Sequence, residues 1–94
     1  MIKEQITKEL YAVLKKMNIE DIAVTLDTPS KPEHGDFATS VALKLTKLLK
    51  KNPYDIAHEI VSQLPKKIQD VEKIEVIKPG FINFWISKMG LSRN

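Results

Sequence analysis

Two aromatic side chains and a carboxamide alternate near the end of the chain. Phe81, Asn83 and Trp85 share one face of a predicted strand, because successive strand side chains point to opposite sides. Aromatic rings stack on unpaired bases, and an amide offers both a donor and an acceptor to a base edge. This spacing therefore predicts a single-stranded RNA-binding face. The alternative is core packing, which is the commoner fate of aromatic residues, although a buried amide would then need a dedicated hydrogen-bond partner.

A second candidate feature is a lysine cluster that contains no acidic residue. Lys44, Lys47, Lys50 and Lys51 fall on the flank and back of a predicted helix. Lys44, Lys47 and Lys51 are the predicted phosphate contacts of a bound RNA, and a solvated helix face is the alternative. The net charge of +3 is only a weak indication of nucleic-acid binding.

Several kinds of chemistry are excluded by residues that the chain lacks. It has no cysteine, and its histidines, His34 and His58, have no further ligand at metal-binding spacing. No glycine-rich phosphate loop is present. We therefore expect no metal, no cofactor and no catalytic residue in the 94-residue chain, which is not expected to act as an enzyme alone. Without an apolar run of membrane-spanning length or a signal peptide, a cytoplasmic protein with no membrane partner is expected.

Hydrophobic periodicity predicts the elements that position these residues. Apolar residues spaced by three and four predict helices over residues 1–17, from Ala38 to Leu49, and after the Asn52-Pro53 start signal. Alternation predicts a strand over residues 22–26, and a short strand or turn over 34–39 leads into the second helix, with Asp36 and Thr39 as its capping residues. A hairpin of two strands, 71–77 and 81–86, ends the pattern, and the residues after Ser87 are predicted to be a polar tail.

The predicted order is thus helix, strand, strand, helix, helix, strand, strand within one domain spanning residues 1–94. This order favours a two-layer α+β fold, with the helices packed on one face of a small, mostly antiparallel sheet. The opposite face of such a sheet must meet solvent or a partner.

Three blocks of the sequence carry a family resemblance. They are HGDFATSVAL from His34 to Leu43, Asn52-Pro53 followed by Ile56-Ala57, and PGFINF from Pro79 to Phe84. In content and spacing they resemble the amino-terminal additional domain of arginyl-tRNA synthetase, and the resemblance covers essentially the whole chain.

The resemblance implies a module that touches the outer corner of tRNA(Arg), where it contacts the D loop. Phe81 and Asn83 match the aromatic and asparagine positions that recognise an exposed D-loop base in that family. Where the family often has tyrosine, Phe81 keeps the stacking ring and lacks the phenol hydroxyl. The chain has neither a His-Ile-Gly-His nor a Lys-Met-Ser-Lys motif. ATP and arginine would therefore bind in the remaining domains of a longer synthetase, which are the expected protein partners.

A second hypothesis is a free-standing basic α+β module that docks on another protein through the Phe81/Trp85 face. RNA binding should weaken steeply as salt rises, whereas apolar docking should not. A third, an independent hydrolase or transferase, has no supporting arrangement of residues in the sequence.

Overall fold

A computed structural model describes the backbone of residues 2–93 and the side chains of residues 2–90. The elements follow in the order α1 (Ile2–Lys16), a 3-10 turn (Pro32–His34), β1 (Phe37–Thr39), α2 (Val41–Lys44), α3 (Thr46–Leu49), α4 (Pro53–Gln63), β2 (Val71–Ile77), β3 (Phe81–Ile86) and α5 (Lys88–Arg93). The strands form one antiparallel sheet in the order β1-β3-β2, on which the helices pack. The predicted α+β class is confirmed.

Helix α1 follows the predicted stripe closely. Its buried side chains are spaced by three and four residues and are Ile2, Ile6, Leu10, Val13 and Leu14. Asn18 adopts a left-handed conformation (φ 61°) just beyond the helix, as expected for a residue that tolerates this region at a helix end. The helix therefore covers the core with one face and leaves its charged side chains in water.

Residues 22–26 are not the predicted strand, although their alternation is real. Val24 and Leu26 are buried, but the segment forms no ladder, and the first bridge is between Asp27 and Ala38. Side chains satisfy its backbone instead, since the Val24 N–H donates to the Tyr11 hydroxyl (2.9 Å) and the Ala23 carbonyl accepts from Lys44 Nζ (3.0 Å). Backbone groups with such partners need no neighbouring strand.

The helix predicted from Ala38 to Leu49 is two short helices, α2 and α3. The helix is interrupted at Leu45, whose N–H donates to the carbonyl of Ala42, three residues earlier, instead of to a carbonyl four residues earlier. The predicted basic face is consequently not one helix face. Leu48, one of the apolar residues whose spacing predicted this helix, is 60% exposed.

Neither predicted capping residue acts as the N-cap of α2, a position taken by Ser40 without a side-chain hydrogen bond. Thr39 accepts from the N–H of Val41 (3.3 Å), whereas Asp36 bonds to the backbone of β3. The predicted start of α4 is confirmed. Asn52 Oδ1 accepts from the Asp55 N–H (2.9 Å), and proline occupies the first turn.

The hairpin β2–β3 forms at the predicted residues, and β3 is the central strand of the sheet. Its inward side chains Ile82, Phe84 and Ile86 are buried beneath the helices. Each large apolar side chain buried in this way stabilises the fold by about 1.5–3 kcal/mol. The turn Lys78-Pro79-Gly80 contains a cis Lys78–Pro79 bond, and α5 occupies residues predicted to be a polar tail. None of the helices within residues 2–93 has the length and hydropathy needed to cross a bilayer.

Candidate RNA-binding surface

The outer face of β3 presents the three residues predicted to recognise a base. Phe81 is 36% exposed, Trp85 is half-buried, and Asn83 is only 4% exposed. Asn83 lies opposite Ala38 on one side and Glu75 on the other, which places it at the centre of the three strands. The face is therefore not uniformly open to solvent, as a bare sheet surface would be.

The chain itself covers part of this face through the segment His34-Gly35-Asp36. Gly35 has φ +96°, and a Cβ there would lie 2.8 Å from the Phe84 carbonyl oxygen and 3.1 Å from Trp85 Cδ2. Only glycine combines this backbone angle with so close an approach at low cost. Asp36 fixes the segment to β3, because its N–H donates to the Phe84 carbonyl (2.8 Å) and its Oδ2 accepts from the Ile86 N–H (2.7 Å).

The covering segment holds Asn83, and only one of the two polar atoms of the Asn83 side chain has a hydrogen-bond partner among the described residues. Its Nδ2 donates to the His34 carbonyl at 2.6 Å, whereas its buried Oδ1 has no hydrogen-bond partner among the residues that the structure describes. The carbonyl acceptor decides which amide atom faces it, since Oδ1 in that place would meet another oxygen. An unpaired buried acceptor costs about 1–3 kcal/mol, and such an atom in a folded protein calls for an explanation.

A cleft of about 380 Å³ lies beside Phe81 and Asn83. Its wall joins β3, the hairpin turn and the segment before β1, and the lining residues are Asp27, Pro29, Ser30, His34, Ala38, Ser40, Ile77, Lys78, Phe81 and Asn83. Clefts of this volume accommodate small organic groups. The structure thus brings two of the three predicted base-recognition residues to one cavity.

Trp85 shares the strand face but does not line the cleft. Its ring lies against Gly35, and Lys73 Nζ sits 4.6 Å from its ring centroid. Base contact by Trp85 stays a prediction.

The three predicted phosphate contacts do not line the cleft either. Lys44 Nζ donates to the Ala23 carbonyl, and Lys51 Nζ pairs with Glu59 Oε1 at 2.9 Å with both side chains partly exposed. Lys47 is exposed on α3. An exposed ion pair of this kind contributes little to stability, so it exchanges readily for another anion.

Two further clefts contain none of the predicted site residues. One of about 390 Å³ lies between the end of α4 and β2, and one of about 510 Å³ lies on the solvent side of α1. Among the described residues no three His, Cys, Asp or Glu side chains come together as metal ligands would.

Comparison with known proteins identifies the fold that carries this cleft. The family model described as "Arginyl tRNA synthetase N terminal domain" matches residues 1–86. The chain belongs to this family. It is 39% identical over 93 residues to the arginine–tRNA ligase of Staphylococcus carnosus, covering 97% of the chain, and 40% identical over 87 residues to that of Thermotoga petrophila, covering 93%.

Solved structures agree with the family assignment. The arginyl-tRNA synthetase of Thermus thermophilus superposes with a TM-score of 0.86 at 26% identity over 99% of the chain. The Plasmodium falciparum enzyme shares the fold, with a TM-score of 0.78 at 19% identity over 94% of the chain. The chain spans only 17% and 16% of the two bacterial ligases and 15% and 16% of the two solved chains.

Sequence reasoning missed several residues at the cleft of this arginyl-tRNA synthetase domain. Lys78 lines it from the hairpin turn and also lies 5.5 Å from the Tyr54 ring centroid, and Tyr54 meets His58 edge to face at 4.6 Å. The position of Lys78 immediately before the Pro-Gly turn was a usable signal for it. No local pattern could have brought Asp27 or Ser30 to the cleft, because the segment after α1 reaches the sheet through long-range contacts.

Proposed function

We propose that this chain is the tRNA-binding domain of an arginine–tRNA ligase and that the cleft beside Phe81 and Asn83 receives an exposed base of the D loop of tRNA(Arg). The observation that carries the proposal is that Phe81, which is 36% exposed, and Asn83, whose buried Oδ1 has no hydrogen-bond partner among the described residues, line the same cleft. Family membership supports tRNA as the ligand class. Contact with the D loop rests on the resemblance of the Pro-Gly-Phe-Ile-Asn-Phe block.

The composition of the cleft fits a base better than a phosphate group. Pro29, Ala38, Ile77 and the ring of Phe81 supply apolar surface, which suits the flat face of a base. Asp27 and Lys78 give the lining one charge of each sign, so it offers no excess positive charge to a phosphate. A base can satisfy both features, because its faces are apolar and its edges carry N–H groups.

Phe81 and Asn83 act together on the same nucleotide in this proposal. They are two residues apart on β3, which corresponds to roughly 6–7 Å along a strand. The ring stacks on the base while the amide contacts its edge. Because Asn83 is buried, a side chain of the cleft wall must turn aside before the base edge reaches Oδ1.

In this proposal, lysines at the cleft and elsewhere on the domain hold the RNA backbone without reading its sequence. Lys78 stands at the cleft itself, and Lys44, Lys47 and Lys51 extend the positive charge over α2, α3 and the link between α3 and α4. Phosphate contacts of this kind position the RNA, and base contacts specify it.

The remaining domains of the ligase supply the chemistry in this proposal. They bind ATP and arginine, activate the amino acid and esterify it to the tRNA, while this domain holds the tRNA. The chain itself has no catalytic role.

The experiment that tests the proposal measures binding of tRNA(Arg) transcripts to the full-length ligase that carries this domain. Each D-loop nucleotide is replaced in turn by an abasic one, and the salt dependence of binding is recorded. We expect one position at which loss of the base weakens binding by roughly 5- to 150-fold, the value of one stacked base. Indifference at every D-loop position would refute the proposed site, and binding to another protein with little salt dependence would favour the docking alternative.

A further inference from the structure

The last helix, α5, is fixed to the turn before β2 by a closed set of contacts. The Asp70 carbonyl accepts from the Ser87 N–H (2.8 Å), and Ser87 Oγ accepts from the Gly90 N–H (3.0 Å). Gly90 is buried, and a Cβ there would lie 2.5 Å from Asp70 Cβ and 2.8 Å from Ile86 Cγ2. We call Asp70, Ser87 and Gly90 the α5 seat. It has no space for a Cβ at position 90 unless a neighbour shifts.

Two features of the α5 seat are locally unfavourable and are explained by this close approach. Asp70 has a left-handed backbone (φ 67°), which few residues other than glycine adopt, and glycine is a poor helix former at position 90. Helix α5 has six residues, whereas an isolated helix in water needs roughly 12–15 to be stable. The direction of α5 relative to the sheet therefore depends on the α5 seat rather than on the helix itself.

We infer that the α5 seat sets the direction in which the chain leaves this domain, and that Asp70, Ser87 and Gly90 are positioning residues for a tRNA that the whole ligase holds. This role rests on the proposed function, in which the remaining domains bind the same tRNA. The matching family model is described as an N terminal domain and ends at residue 86. In the proposed ligase, α5 thus joins the matched region to the remaining domains.

The cleft and α5 lie at opposite ends of β3, which makes the position of the cleft sensitive to the α5 seat. Phe81 of the cleft is the first residue of the strand, and Ile86, next to Gly90, is the last. The six residues span roughly 17 Å, so a rotation of about 30° at the α5 seat moves the cleft by roughly 9 Å. Stacking contacts reach only about 4 Å between atoms. A tRNA can engage both parts of the ligase at once only where the geometry permits it.

The test compares Gly90→Ala with its matched control Met89→Ala in the full-length ligase. Met89 is the neighbouring residue of the same helix and is 67% exposed, so alanine there meets no neighbour. The readout is the ratio of affinities for intact tRNA(Arg) and for the transcript with the one effective abasic D-loop position. This ratio, roughly 5- to 150-fold in the unaltered ligase, should fall towards one in Gly90→Ala and stay unchanged in Met89→Ala. A helix free of the α5 seat would tolerate alanine better than glycine, so an unchanged ratio in Gly90→Ala overturns the inference.

Amide hydrogen exchange of β3 separates positioning from folding, because it reports whether the domain remains folded. A positioning role predicts that Gly90→Ala loses the ratio while β3 keeps its protection. A flexible glycine–serine insert of about six residues directly after α5 should have the same effect without any change in the domain. If the ratio is unchanged by the insert, the direction of the chain does not matter and the inference is overturned.

The possible failures are distinguishable. If no D-loop position of the unaltered ligase responds to an abasic replacement, the proposed function is refuted. If one position responds and either Gly90→Ala or the insert keeps the full ratio, the proposed function stands and the α5 seat has no positioning role. Should Gly90→Ala lose the protection of β3, Ser87→Ala removes the bond to the Gly90 N–H without adding volume. A lowered ratio in folded Ser87→Ala then supports the inference, and an unchanged one overturns it.

Discussion

Replacement of Phe81 by alanine tests whether its ring stacks on an RNA base or only packs against the rest of the domain. Phe81 is 36% exposed and stands at the first position of β3, opposite Ile77 at the turn end of the hairpin. Since about two-thirds of the residue's surface is buried, removal of the ring should lower the free energy of unfolding by about 1–2 kcal/mol, less than the 3–5 kcal/mol typical of a core phenylalanine. Loss of one stacked base should weaken tRNA binding by roughly 5- to 150-fold.

The assay pairs binding of tRNA(Arg) with thermal unfolding for a series of variants at this position. Phe81→Tyr keeps the ring and should bind like the unaltered protein. Phe81→Leu keeps apolar volume and most of the stability, yet it offers no aromatic face, so it should bind nearly as weakly as Phe81→Ala. Full binding by Phe81→Leu would show that the ring only fills space, and unfolding of Phe81→Ala would show that it belongs to the core.

Three other outcomes follow from the same structure. Changing Lys44, Lys47 and Lys51 together to glutamine should weaken tRNA binding without altering which tRNA is chosen, and the salt slope should fall by about one per lost phosphate contact; an unchanged slope would mean that these lysines are only solvated. Gly35→Ala should lower the melting temperature, because a Cβ would lie 2.8 Å from the Phe84 carbonyl oxygen at φ +96°, a strain of about 1–3 kcal/mol, and an unchanged temperature would contradict the close approach. The purified 94-residue chain should show no arginine-dependent ATP–pyrophosphate exchange. Any such exchange would contradict the proposal that the remaining domains of the ligase carry out the catalysis.

Elements with strong local signals were predictable from the sequence. Three such signals are the apolar stripe of α1, the Asn52-Pro53 start of α4 and the alternation of the hairpin. Each arises from contacts made within a few residues or across one turn. The inward and outward faces of β3 followed from this alternation, and so did the placement of Phe81 and Asn83 on one side.

Features that depend on long-range contacts were not predictable. Residues 22–26 look like a strand, but their backbone bonds to Tyr11 and Lys44, side chains that lie far away in sequence. Asp36 resembles a helix cap and instead binds the Ile86 N–H, 50 residues later. The need of a buried Asn83 for a dedicated partner was foreseeable, whereas the identity of that partner as a backbone carbonyl was not, because no side-chain pattern encodes it.

The most direct measurement of the central claim places a photoreactive group in the cleft. Phe81 is replaced by p-benzoylphenylalanine in the full-length ligase, the protein is bound to tRNA(Arg) and irradiated, and the linked nucleotide is mapped by primer extension. The same group at exposed Leu48, which does not line the cleft, is the control. We predict that the link from position 81 falls on one D-loop nucleotide and that the link from position 48 does not. A link from position 81 to the anticodon or acceptor stem, or to no RNA at all, would contradict the assignment of this cleft to the D loop.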